Sequence, residues 1–139
     1  MTDTTGLPRA CPETPPLAAV VAGPRAWLRL EGLAILVAGA ALFVAAGGPW
    51  LLLVPLVLLV DLSMAGYLAG PRPGAALYNL AHNQAVAIAL LGMGALAGFP
   101  LLVLAGAILL AHSGMDRLAG YGLKYPTAFG DTHLGRIGR

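Results

Sequence analysis

Four long apolar runs separated by short turns restrict the fold of this chain more than any other feature. The runs cover residues 28–46, 50–69, 75–97 and 101–119. Each has about the 20 residues that a helix needs to cross a bilayer. The glycine- and proline-rich turns between them, at 47–49, 70–74 and 98–100, are too short to cross anything. The sequence therefore predicts an all-α, polytopic membrane protein, a four-transmembrane-helix bundle with an interfacial C-terminal segment.

Composition excludes several other classes of protein. Of the 139 residues, 58% are apolar and only 10% are charged, which is far from the balance of a water-soluble domain. The net charge of +2 comes without any basic run or stripe, so we expect no nucleic-acid partner. Cys11 is the single cysteine, which rules out an internal disulfide framework or a thiolate metal cage and favours an inert thiol.

The basic residues predict the orientation in the membrane. They precede the first run, lie between the second and third, or follow the fourth: Arg9, Arg25, Arg29, Arg72, Arg117, Lys124, Arg136 and Arg139. The other two turns carry no charge. By the positive-inside rule both termini are cytoplasmic, and we expect a multi-pass protein of the bacterial inner membrane. Residues 1–26 are predicted as a disordered tail, 27–119 as the transmembrane domain and 120–139 as a cytoplasmic interfacial tail.

The predicted partner of the bundle is the lipid bilayer. Small residues at four-residue spacing predict that the helices pack closely against each other in this bilayer. The pairs and triplets are Gly66 with Gly70, Ala81 with Ala85 and Ala89, and Ala107 with Ala111. This pattern lets helix backbones approach each other. We favour packing inside one bundle, while a homo-oligomer through the same residues stays open.

Polar side chains interrupt three of the apolar runs at one common depth. With a rise of ~1.5 Å per residue, Asp61, His82 and His112 lie about 13, 12 and 10 Å from the ends of their helices on the basic side. Ionisable groups inside a span are costly and are functional by default. The candidate polar site consists of Asp61, Asn79, His82, His112, Asp116 and Arg117. Tyr78, next to the middle turn, is predicted to lie in the interfacial aromatic belt.

Imidazole and carboxylate ligands together suit a divalent metal such as zinc or manganese. The candidate metal ligands are Asp61, His82, His112, Asp116 and His133. His112 and Asp116 stand four residues apart and so share one face of their helix. A bound metal with an open position would support hydrolysis. Two alternatives stay open: a non-catalytic scaffold in which the polar residues only connect helices, and a proton or metal-ion carrier.

Six short motifs carry a resemblance to a known family. They are Asp61-Leu-Ser-Met-Ala-Gly-Tyr67, Gly70-Pro-Arg-Pro-Gly74, Tyr78-Asn-Leu-Ala-His82, His112-Ser-Gly-Met-Asp-Arg117, Tyr121-Gly-Leu-Lys-Tyr-Pro126 and Asp131-Thr-His-Leu-Gly135. Together they resemble the bacterial membrane proteins grouped as domain of unknown function 4260, over roughly Leu28 to Gly138. The resemblance implies a polytopic membrane protein without an assigned activity. The pair of His112 and Asp116 is also similar to the His-x-x-x-Asp pair of membrane-bound metal-dependent hydrolases.

Overall fold

The computed structural model describes residues 17–137, with side chains from residue 23 onward. In chain order the elements are α1 Leu17–Ala45, α2 Trp50–Leu59, a 3₁₀ helix Val60–Ala69, α3 Pro71–Ala81, α4 Gln84–Ala97, α5 Pro100–Ala119, β1 Asp131–Thr132 and β2 Gly135–Arg136. The strands form a small antiparallel hairpin in which Asp131 pairs with Arg136. Within the described residues the fold is thus helical, apart from this hairpin.

Three helical segments are long and apolar enough to cross a membrane, and a bent pair supplies a fourth. The straight spans are Gly23–Ala45, Trp50–Ala69 and Pro100–Ala119, and α3 and α4 together form a broken span with a bend of 45°. Large apolar side chains cover the outside of the bundle; Leu68 and Leu96 are more than nine-tenths exposed. This confirms the polytopic α-helical class, because such a surface is suited to lipid.

The first helix begins earlier than the sequence predicted. α1 starts at Leu17, so residues 17–26, which were predicted as part of a disordered tail, are helical. The leucine and the three alanines of residues 17–22 have the propensity to extend a helix that the membrane span already nucleates. The remainder of the predicted tail, residues 1–16, lies outside the described residues.

The second span changes helix type in its middle. It is α-helical to Leu59 and 3₁₀ from Val60 to Ala69. Leu62, Ala65 and Leu68 are exposed at every third position of the second half, as the 3.0 residues per turn of a 3₁₀ helix predict, and Ala69 at its end is exposed as well. A 3₁₀ run of ten residues is unusual. With its rise of ~2.0 Å per residue, Asp61 lies about 16 Å from the end of the span at Ala69, deeper than an α-helix would place it.

The third span, predicted as one helix over 75–97, is two helices. It begins at Pro71 and breaks at His82 and Asn83, which lie between the end of α3 at Ala81 and the start of α4 at Gln84. Asn83 takes extended backbone angles, and its side-chain oxygen accepts a hydrogen bond from Ala85 N at 2.8 Å, which caps α4. Asparagine is a favoured N-cap residue, so the break has a local physical cause.

Glycines allow α1 and α5 to pack backbone against backbone. A Cβ atom added at Gly32 would lie 2.5 Å from the Leu118 nitrogen, and one at Gly39 would collide with the backbone of Ala107 and Ala111. At Gly114 an added Cβ would collide with the backbone of α1. The predicted small pair of α5 therefore packs inside the bundle. This contact fixes α5, which carries three of the candidate site residues, His112, Asp116 and Arg117.

We predict that Gly114→Ala destabilises the protein strongly, since its methyl group would push α1 away from α5. Overpacking of this kind costs about 1–3 kcal/mol. The matched control is Gly92→Ala, where an added Cβ would have no neighbour within 4 Å. The thermal unfolding midpoint in detergent should fall for Gly114→Ala and stay within a few degrees of wild type for Gly92→Ala. Equal midpoints for both variants would contradict the close α1–α5 contact.

Candidate metal centre

Two buried histidines are held by backbone carbonyls. His82 Nδ1 lies 2.8 Å from the Tyr78 carbonyl oxygen, and His112 Nδ1 lies 2.7 Å from the Val57 carbonyl oxygen. A carbonyl oxygen can only accept, so both Nδ1 atoms carry the proton and donate it. In the neutral rings both Nε2 atoms then present a lone pair. Both side chains are 0% exposed.

Each of these carbonyls lies where a membrane helix is irregular. The Val57 carbonyl belongs to the last turn of α2, just before the 3₁₀ helix starts at Val60. The Tyr78 carbonyl belongs to the last turn of α3 and also accepts the His82 backbone N–H. Metal-binding histidines almost always donate their other ring N–H to a fixed acceptor such as a carbonyl. The irregular helix ends thus orient both imidazoles.

The two free ring nitrogens face each other. His82 Nε2 and His112 Nε2 are 2.8 Å apart. Two lone pairs at this separation, away from water, repel each other unless something positive lies between or beside them. A shared proton satisfies this requirement, and so does a metal cation bound to both nitrogens.

Asp61 completes a triangle of ligand atoms. Its Oδ1 atom is 3.4 Å from His82 Nε2 and 3.5 Å from His112 Nε2. With 2.8 Å between the nitrogens, a point about 1.9 Å from all three atoms lies inside the triangle, and typical Zn–N and Zn–O distances are about 2.0–2.2 Å. The three side chains are therefore close enough together to serve as ligands of a single cation.

Asp116 borders this triangle and is itself fixed. Its two oxygens lie 3.7 Å from His82 Nε2 and 3.8 Å from His112 Nε2. The Tyr78 hydroxyl donates a 2.6 Å hydrogen bond to Asp116 Oδ2, and the Tyr78 ring stacks on His82 with 3.6 Å between the centroids. His112 and Asp116 share one face of α5, as their four-residue spacing predicted. We refer to Asp61, His82, His112 and Asp116 as the histidine–aspartate cluster.

The charges of this cluster are not balanced by an ion pair with a lysine or arginine among the described residues. The ion contacts of Asp61 and Asp116 are those with the two histidines. The nearest buried cation is Lys124, whose amine lies over the Phe129 ring at 3.7 Å and over the Tyr78 ring at 4.8 Å. Burial lowers the pKa of Lys124, and the charges of Asp116 and Asp61 oppose this shift. A divalent cation would neutralise the two carboxylates.

Three predicted site residues lie elsewhere. The Asn79 side chain binds the backbone of Lys124 twice, through Nδ2 to the carbonyl at 2.9 Å and through Oδ1 from the N–H at 2.7 Å. Arg117 donates to the Tyr121 carbonyl at 2.7 Å. His133 Nδ1 accepts from Leu123 N at 2.8 Å, and the group of ligand atoms that could hold a metal ion does not include it.

Sequence reasoning placed Tyr78 wrongly and missed its role. Tyr78 was predicted to lie in the interfacial belt, but only 2% of it is exposed, and it touches both His82 and Asp116. One signal was available: Tyr78 and His82 are four residues apart and thus share one helix face. The contribution of the Val57 carbonyl had no signal, because any residue type supplies a carbonyl.

The fold and the cluster define a polytopic α-helical membrane protein with a buried group of histidine and aspartate side chains. A family model described as Domain of unknown function (DUF4260) matches residues 25–137, and the chain belongs to this family. This match confirms the resemblance that the six sequence motifs carry. No curated protein and no solved structure matches the chain.

Proposed function

We propose that this protein binds one divalent transition metal, zinc or manganese, inside the membrane domain, with Asp61, His82 and His112 as ligands. The observation that carries the proposal is the triangle of Asp61 Oδ1 and the two Nε2 atoms. Its sides of 2.8, 3.4 and 3.5 Å match one cation bound to all three atoms. The carbonyl-bound Nδ1 atoms support it, because they leave both Nε2 atoms, 2.8 Å apart, as the free ring nitrogens.

Charge and access give the proposal further support. The Asp61 side chain is 40% exposed at the depth of the apolar core, where an uncompensated carboxylate costs about 2.5–3.5 kcal/mol. A bound cation would offset this cost. The histidines are enclosed, so water or a substrate would reach the metal from the side of Asp61.

We infer hydrolysis as the reaction class. Three protein ligands with an open position are typical of catalytic zinc sites, whereas structural sites use four. A metal held by Asp61, His82 and His112 would lower the pKa of a bound water molecule, the nucleophile for hydrolysis of a carboxylic ester or a phosphoester. Asp116 would accept the proton of this water and return it to the leaving alcohol. Its hydrogen bond from Tyr78 holds the carboxylate in place for that role.

A proton carrier is the second candidate, because 2.8 Å is also the length of a hydrogen bond between two ring nitrogens. In that case the cluster holds one shared proton next to the two carboxylates. A scaffold would need neither a metal nor a mobile proton. Metal content separates the first candidate from both others.

We predict near-stoichiometric zinc or manganese in the purified, untagged protein, measured by elemental mass spectrometry. His82→Ala and His112→Ala should each lose the metal, because either change removes one of three ligands. His133→Ala is the matched control: it removes an exposed histidine outside the triangle and should retain the metal.

Folding of the variants is checked by thermal unfolding in detergent, with His82→Gln as a milder change. Metal lost from His133→Ala as well would show that binding does not depend on the triangle. Wild type without metal, even after reconstitution with zinc or manganese, would exclude the metal site and favour the proton carrier or scaffold.

We predict that Asp116→Asn separates metal binding from catalysis. The variant keeps the three ligands and the size of the side chain but loses the general base, which is worth about 10²–10⁴-fold in rate. With p-nitrophenyl butyrate and p-nitrophenyl phosphate as probes, metal-loaded wild type should turn over at least one, and Asp116→Asn should not. If metal-loaded wild type turns over neither probe faster than metal-free protein, the hydrolytic assignment fails while metal binding stands on its own measurement.

We also propose that the end of the bundle formed by the turn at Gly70 and the end of α5, the basic end, faces the cytoplasm of a bacterial inner membrane. In a Cys11→Ser background, Pro73→Cys at this end should resist a membrane-impermeant maleimide in intact cells and react after permeabilisation. Trp50→Cys, at the opposite end, should react in intact cells. The reverse pattern would overturn the orientation that the basic residues support.

A further inference from the structure

A second site lies at the basic end, beside the start of α1 and the end of α5. It is a cavity of about 620 Å³ between α1, the end of α5 and the C-terminal hairpin. Four arginines line it: Arg25, Arg29, Arg117 and Arg136. We call it the arginine cavity. It contains half of the chain's eight lysines and arginines and none of the residues of the histidine–aspartate cluster.

The positive charge of the cavity is only partly compensated. Arg136 Nε lies 3.4 Å from Asp131 Oδ1, the single ion pair that a lining arginine makes within residues 23–137. Among the described residues, no acidic side chain lines the cavity. Four guanidinium groups around one space repel each other, and one carboxylate cannot neutralise them. The arrangement is therefore suited to an anion.

The guanidinium groups also keep free donors. Arg25 donates to the Leu134 carbonyl at 3.3 Å, and Arg117 donates to the Tyr121 carbonyl at 2.7 Å. These bonds orient the two side chains across the cavity, but each guanidinium has five N–H donors. The remaining donors can bind phosphate oxygens in pairs, the geometry that arginine offers and lysine does not.

The apolar residues that line the arginine cavity, and its location in the bundle, indicate that the bound phosphate belongs to a lipid. Leu28, Leu134 and Ile137 line the cavity beside the arginines, and Tyr121 is half exposed at its edge. Arg25 and Arg29 lie near the start of the span Gly23–Ala45, and Arg117 lies near the end of the span Pro100–Ala119, so we infer that the cavity lies at the depth of lipid headgroups. Basic pockets at this depth bind the heads of anionic lipids. A volume of about 620 Å³ is larger than a bare phosphate ion requires.

We propose that the arginine cavity binds a phosphate group carried by a membrane amphiphile, the head of an anionic phospholipid, with Arg25 and Arg29 as the principal ligands. The lipid phosphate lies among the guanidinium groups, and the start of its acyl chains rests on Leu28 and Ile137. This site is separate from the metal centre and does not depend on a bound metal.

The test compares lipid and free phosphate on the full-length protein. Binding is measured by native mass spectrometry and by the shift of the thermal midpoint on adding phosphatidylglycerol, phosphatidylcholine or inorganic phosphate. Phosphatidylglycerol should bind and stabilise wild type, whereas phosphatidylcholine should not. The double variant Arg25→Gln/Arg29→Gln should lose about tenfold or more in affinity.

Arg72→Gln is the matched control, because Arg72 is exposed at the same end of the bundle but does not line the cavity. It should bind phosphatidylglycerol as wild type does. If inorganic phosphate binds the cavity as tightly as the lipid, the site still takes a phosphate, but from a soluble source. No difference between the two lipids, or an equal loss in Arg72→Gln, would overturn the proposal and leave only nonspecific attraction to a charged surface.

Discussion

In the interior of a membrane every backbone carbonyl must find a donor within the protein. At two points in this chain a histidine ring adds a second donor to a carbonyl that already accepts a backbone N–H: His112 at Val57, where α2 changes to a 3₁₀ helix, and His82 at Tyr78, where α3 ends. The irregular helix ends thus hold both histidine rings in place. Because each ring donates through Nδ1, its Nε2 is left free and lies close to the other histidine and to Asp61, and the remainder of the site follows from this.

The spans and the common depth of the polar residues were predictable, because both depend on local sequence. Length and hydropathy define a membrane helix, and Gly and Pro mark its turns, so the helical class and the family resemblance are confirmed. The shared face of His112 and Asp116 followed from helical spacing alone. These two lie on α5, a regular helix, where periodicity is a reliable guide.

Which residues belong to the histidine–aspartate cluster was less predictable, because this depends on where the helices break or change type. A continuous third helix would present Asn79, His82 and Asn83 on one face. Because the helix breaks, the three side chains instead have separate roles, in which Asn79 holds the tail, His82 joins the cluster and Asn83 caps α4. An asparagine within an apolar run was the available signal. No sequence signal of comparable strength marks the 3₁₀ segment, since its sequence is equally compatible with an α-helix.

α5 connects the close helix contact, the histidine–aspartate cluster and the arginine cavity. One face packs through Gly114 against α1, another carries His112 and Asp116, and Arg117 at its end lines the arginine cavity. The close α1 contact allows little movement of α5, so the cluster is pre-organised by packing that involves no polar group. Ligand sites are precise when rigid elements hold them. Without a cation, that same rigidity keeps two carboxylates and two lone pairs close together, so the fold itself favours binding of a positive charge.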